Sequence, residues 1–252
     1  MQDPSRRKFI QSSLIVAAAP FASAMAVHSS DTKSDGAEDF TCLFQGDSIT
    51  DGNRGRNNDW NHVMGHGYAY LISSRLWYDH PKSNFHFFNR GVSGNKVTDL
   101  QARWQQDTLD IKPNLLSILI GINDVSVYLE GNTAFSAPQY ETGYSDLLQQ
   151  AKDKIPGVQF VLCEPFILPV GKIKDRWSEF SAEIAKRQEI VKNLSVKFNA
   201  LYVGLQDEFN KACSKAPADF WIFDGVHPMP AGHELIARQW IDVVSKKIRV
   251  YR

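Results

Sequence analysis

The sequence predicts an α/β fold in which a parallel sheet is covered by helices on both faces. Three observations carry this. Short apolar runs recur along the chain, longer amphipathic stretches separate them, and 252 residues with 43% hydrophobic and 22% charged side chains suit a single globular domain of that class. Strands linked by helical crossovers run parallel, and right-handed crossovers place the helices above and below the sheet.

The elements follow in chain order. Residues 1–26 join Ser5-Arg6-Arg7-Lys8-Phe9-Ile10 to an apolar run from Leu14 to Phe21 and small-residue triplets ending at Ala24 and Ala26. They read as an export signal of the twin-arginine type, cleaved after Ala24 or Ala26, because the apolar stretch is too short to span a bilayer. No cysteine stands at that point to carry a lipid anchor. The expected location is periplasmic or extracellular, without stable membrane insertion after cleavage. Residues 27–39 are polar and acidic without apolar period, a flexible leader. The folded domain then spans residues 40–252. Its strands are read at Phe40 to Gln45, Phe85 to Asn89, Leu115 to Ile120, Val158 to Cys163 and Leu201 to Gly204. Their near-continuous apolar character marks strands buried on both faces. Helices are read at Gly67 to Tyr78, Asp99 to Leu109, Gln139 to Lys154, Trp177 to Phe198 and Ala231 to Lys247. Gly131 to Pro138 reads as a loop, and Pro165 to Arg176 as a longer one near the site.

A formal net charge of +0 gives no electrostatic reason to expect nucleic acid or an anionic membrane as partner. Three scattered cysteines form neither a disulfide framework nor a Cys-x-x-Cys site, and read as small buried hydrophobes. His62 and His66 have the spacing of a metal pair but lack the acidic partner of a zinc motif.

Ligands in open α/β sheets bind beyond the carboxyl ends of the strands. Gly46-Asp47-Ser48, Gly91-Val92-Ser93-Gly94-Asn95 and Gly121-Ile122-Asn123-Asp124 follow the first three strands there. Ser48 stands where a strand gives way to a helix, a place equally suited to a helix cap. A neutral hydroxyl needs a base to become a nucleophile. His227 can be that base and Asp224, three residues earlier, can orient its ring. An oxyanion formed on attack needs donors already in place. The Asn123 side-chain amide and the backbone amides of Gly94 and Ser48 are the candidates.

These segments, with Asp224-Gly225-Val226-His227, resemble the four blocks of the SGNH (GDSL) hydrolases from about Phe40 to Lys247. Ser48, Gly94, Asn123 and His227 match the four residues of the family name. The resemblance implies a flavodoxin-like three-layer α/β/α sandwich with a central parallel sheet of about five strands. It also implies a serine esterase that needs neither metal nor cofactor. Longer strings, among them Asn89 to Asn95, Leu100 to Trp104 and Ala231-Gly232-His233, resemble the branch of bacterial xylan acetylesterases, whose members can form homo-oligomers. The expected activity is removal of acetyl groups from xylan or another polysaccharide or its oligosaccharides. The alternatives are a lysophospholipase or thioesterase of the same family, or a glycan-binding module that has lost catalysis. Asp47, Trp60, His66, Trp177, Trp221 and Phe223 are the candidate substrate contacts, the aromatics because sugar rings stack on such faces.

Overall fold

A computed structural model describes residues 39–57 and 59–248. The expected export signal and all but the last residue of the leader lie outside them. Five strands, β1 (Phe40–Gly46), β2 (Phe85–Asn89), β3 (Leu115–Leu119), β4 (Gln159–Cys163) and β5 (Leu201–Val203), form one sheet in the order β2-β1-β3-β4-β5. Every neighbouring pair is parallel. The helices are α1 (Ser48–Asp51), α2 (Tyr68–Asp79), α3 (Val97–Trp104), α4 (Ile122–Leu129), α5 (Ala137–Lys154), α6 (Trp177–Lys197), α7 (Gln206–Ala212), α8 (Ala218–Trp221) and α9 (Pro230–Ser245).

The continuous apolar strands are explained by the pleat, which sends successive side chains to opposite faces. Cys42 and Phe44 of β1, Leu115 of β3 and Val161 and Cys163 of β4 pack with Tyr68, Ile72 and Leu76 of α2 and Ile236, Trp240 and Val244 of α9. Leu43, Leu116, Ile118, Phe160 and Leu162 face the other way, onto Leu100 and Trp104 of α3, Tyr144 and Leu147 of α5 and Val191 and Leu194 of α6. Burying one such aliphatic side chain contributes about 1.5–3 kcal/mol, so two full layers fix both the register and the side of each helix. The buried Trp240 indole donates to Ser117 Oγ at 2.9 Å, tying α9 to the centre of the sheet.

The long helices fall within about two residues of their expected bounds, with one difference of substance. The stretch expected as a helix over 99–109 is helical from Val97, where the Lys96 amide donates to Asp99 Oδ2 at 2.9 Å, but widens into a π-helical turn over Gln105–Leu109. There the buried Gln45 amide donates to the Asp107 carbonyl and to Thr108 Oγ1. A side chain entering from β1 thus takes a carbonyl of that turn. The helix expected to open at Ser48 is the single turn α1, whereas α4, α7 and α8 match no expected helix, being too brief to show a period. The segment from Pro165 to Arg176 is a packed element, with Phe166, Ile167, Leu168 and Ile173 buried and a 3₁₀ turn over Gly171–Arg176.

Strand order reverses between β1 and β3, which lie side by side while their chains proceed to opposite edges of the sheet. A crevice opens at such a switch point, beyond the carboxyl ends of the strands.

Candidate active site

Ser48 follows β1 as the first residue of α1, and Asp47 caps that helix by accepting the Ile49 amide at 3.0 Å. Its Oγ lies 2.9 Å from His227 Nε2. The other ring nitrogen, Nδ1, lies 2.8 Å from Asp224 Oδ2, while Asp224 Oδ1 accepts the amides of Val226 at 3.0 Å and His227 at 2.7 Å. One residue therefore anchors both the backbone and the ring of His227. This network assigns the proton to Nδ1 and leaves Nε2 to accept from the serine hydroxyl. Partial burial pushes the Asp224 carboxyl up, but the two amides and the imidazole outweigh it and hold it at about 2. It is a carboxylate at any pH where the imidazole works.

The turn that presents Asp224 and His227 is built by its flanks. Phe223 N donates to His227 O at 3.2 Å, Ile222 bridges Pro228, and Pro230 opens α9 at a position where a missing N–H costs nothing. The 165–176 segment presses against this turn. Leu168 N donates to Gly225 O, Lys172 N donates to Asp224 O, and Lys172 Nζ lies 3.2 Å from Asp224 Oδ2. Gly171 has φ +57, and a Cβ there would stand 2.4 Å from Asp224 Cα, so only glycine fits.

On the other side of Ser48, Asn123 sits in the first turn of α4 after β3. Its side-chain amide donates to Asn95 O at 3.1 Å, and its second N–H has no protein acceptor among the described residues. Gly94, at φ +82, has nothing within 4 Å of where a Cβ would be. No protein acceptor takes its amide among the described residues. The Ser48 amide belongs to the first turn of a helix, which has no intrahelical acceptor. The serine, histidine and aspartate named from sequence are thus joined by hydrogen bonds. Gly94 and Asn123 stand at the two neighbouring strand ends.

The candidate substrate contacts divide. Phe223 is half exposed and stacks on the His227 ring, with centroids 5.9 Å apart and planes 22° from parallel. Asp47 is buried, its carboxylate turned onto α1 as a cap rather than toward a ligand, and burial with Asp124 nearby pushes its carboxyl up to about 7. Trp177 and Trp221 pack against the core, and the Trp221 indole donates to Ala216 O. Trp60 is 77% exposed beside a cavity of about 410 Å³ shared with Arg54, Arg56 and Phe88, which neither Ser48 nor His227 lines. His66 is exposed along the same 53–57 segment, and His62 pairs with Asp59 at 2.7 Å. Among the described residues no three His, Cys, Asp or Glu side chains converge as a metal site. No helix among them is long and apolar enough to cross a membrane.

Sequence reasoning missed His233, Lys172 and Asp124. His233 Nδ1 accepts the Tyr68 amide at 3.2 Å and so caps α2, whose own N-cap is the glycine Gly67. The signals were its place one turn into α9, six residues after His227, and the Ala231-Gly232-His233 string, which marks the residue without giving it a role.

The model of the GDSL-like lipase/acylhydrolase family matches residues 44–235. An acetylxylan esterase of Geobacillus stearothermophilus is 32% identical over 213 residues, covering 79% of this chain and 91% of that protein. The crystal structure of Axe2, an acetylxylan esterase from Geobacillus stearothermophilus, superposes with a TM-score of 0.73 at 30% identity over 84% of this chain and 96% of the other. Two solved variants of Axe2, described as catalytic mutants, replace a serine and an aspartate by alanine. A protein of Parabacteroides merdae assigned as a GDSL-like lipase superposes with a TM-score of 0.79 at 37% identity, covering 85% of this chain and all of that one. The chain belongs to the GDSL-like lipase/acylhydrolase family and is a carboxylic ester hydrolase.

Proposed function

We propose that this protein is an exported serine esterase that removes acetyl groups from carbohydrate, xylan or its oligosaccharides being the first substrates to test. The observation that carries the mechanism is the relay from Ser48 Oγ through the His227 ring to Asp224, at 2.9 and 2.8 Å. Ser48 Oγ attacks the acetyl carbonyl carbon as its proton passes to His227 Nε2. The carbonyl oxygen gains the negative charge and is met by Asn123 Nδ2 and the amides of Gly94 and Ser48. Collapse breaks the bond to the sugar oxygen, which takes the proton from His227 and leaves. Water then adds to the acetyl-serine with His227 as base, and acetate departs.

The acetyl and sugar assignments are supported by the acetylxylan esterase relative and by the exposed Phe223 ring beside His227, a face on which a sugar can stack. Export is supported by the twin-arginine pattern of residues 1–26, with the folded domain beginning at residue 40. The test is acetate release from acetylated xylo-oligosaccharides, set against a series of p-nitrophenyl esters of increasing acyl length. Acetate release that disappears in Ser48→Ala, with kcat/KM falling as the acyl chain lengthens, is expected. A preference for chains of eight or more carbons would overturn the acetyl assignment, and undiminished turnover by Ser48→Ala would overturn the mechanism.

A further inference from the structure

The two side-chain and backbone donors assigned to the oxyanion, Asn123 Nδ2 and Gly94 N–H, come from different strand connections. Asn123 belongs to the start of α4, and Gly94 to the turn between β2 and α3. They can act on one oxygen only if that turn and that helix hold a fixed distance. Two hydrogen bonds from consecutive residues span the gap. Asn123 Nδ2 donates to Asn95 O at 3.1 Å, and Val97 N donates to Asp124 Oδ1 at 3.2 Å. The first of these uses a catalytic side chain as its own tether. The second is free of that double duty.

Asp124 is 1% exposed, and its second carboxylate oxygen is buried without a hydrogen-bond partner among the described residues. Such an arrangement costs folding energy, and an apolar residue there would avoid the cost. What the carboxylate gives in return is one acceptor, facing the first amide of α3, which has no acceptor within its own helix. We propose that Asp124 is a positioning residue of the oxyanion hole: through the Val97 amide it straps the 94–97 turn to α4 and so aims the Gly94 and Asn123 donors at one point. This rests on the oxyanion role given to those two residues above.

The bond can be cut from either side. Asp124→Leu removes the acceptor. Val97→Pro removes the donor at a position whose backbone accepts proline, because Val97 is the first helical residue and Lys96 before it is extended at φ −113, ψ 173; the buried isopropyl group it also replaces is weighed by Tm. Asp124→Asn keeps an acceptor oxygen. Each variant of the full chain is assayed on p-nitrophenyl acetate, with active sites counted by stoichiometric p-nitrophenol release from a serine-directed p-nitrophenyl phosphonate, and with Tm recorded.

The expected result is a kcat per counted site about 10- to 100-fold lower in Asp124→Leu and in Val97→Pro, with KM within about threefold of the parent and Asp124→Asn close to it. The double variant Asp124→Leu/Val97→Pro should be no slower than the slower single one, since both cut one bond. A purely structural role would lower Tm and leave kcat per counted site unchanged; that result overturns the proposal, as do single losses that multiply in the double variant. Asn123→Ala separates the two levels of the claim. If it turns over like the parent, the oxyanion reading fails and the Asp124 role with it; if it is slow while Asp124→Leu is not, only the Asp124 role fails.

Discussion

His233 should make the fold acid-sensitive in a window that one substitution can erase. The ring accepts the Tyr68 amide through Nδ1, which only a neutral imidazole can do. Burial, and then the charges of His227 and His66, push its pKa from 6.5 down to about 4. The unfolded chain therefore takes up this proton near its ordinary pKa, whereas the folded chain does not until about pH 4. Stability is fully present above pH 6.5, declines as pH falls through that interval, and levels off below it. The gap of about 2.5 units corresponds to about 3 kcal/mol by pH 4 and about 2 kcal/mol at pH 5, as upper values for a half-buried ring. His233→Asn keeps an acceptor oxygen near the Nδ1 position and has no proton to gain. Urea unfolding of parent and variant from about pH 7.5 to pH 4 gives the contribution as a difference. Asp47 and Asp124, whose carboxyls burial raises to about 7, titrate in both proteins and cancel. The parent should lose about 2 kcal/mol relative to the variant by pH 5. A difference that stays constant with pH would mean that His233 does not supply this acid sensitivity.

Three further outcomes test the site. Asn123→Ala should lower kcat on p-nitrophenyl acetate by about 10²- to 10³-fold with little change in KM, the usual cost of one oxyanion donor. Gly171→Ala should reduce both kcat and Tm, because its new methyl meets Asp224 Cα at 2.4 Å and the turn bearing the acid must move; equal kcat per counted site would separate the 165–176 segment from catalysis. Phe223→Ala should raise KM for acetylated xylo-oligosaccharide by about three- to tenfold, since ring stacking contributes about 0.5–1.5 kcal/mol, while p-nitrophenyl acetate, which carries no sugar, should be turned over nearly as before.

The inner strands were legible because strands buried on both faces are largely apolar, and the pleat divides Leu43 from Cys42 and Phe44 without any sequence period being needed; the edge strand β2 instead alternates, with His86 and Phe88 exposed. The long helices were legible from their amphipathic spacing. A helix opening at Ser48 was legible too, but neither its length of one turn nor its cap, Asp47, was. The same aspartate, a candidate substrate contact by sequence, faces inward, because a carboxylate next to a nucleophile can equally serve the helix on which that nucleophile sits. Trp177 and Trp221 show the matching limit for aromatics, since closeness in sequence to Asp224 or to a loop does not say which face of an element a ring takes. Asp124 was hidden for another reason. Its partner is the Val97 amide of a different connection, and a bond from a side chain to a distant backbone group leaves no trace in either local pattern.

Whether Ser48 takes the acetyl group from the substrate is read by mass spectrometry of the enzyme acid-quenched during turnover of an acetylated xylo-oligosaccharide. An acetyl adduct is expected on the peptide that contains Ser48, absent when Ser48→Ala is treated in the same way. Release of acetate at the parent rate by Ser48→Ala would contradict it.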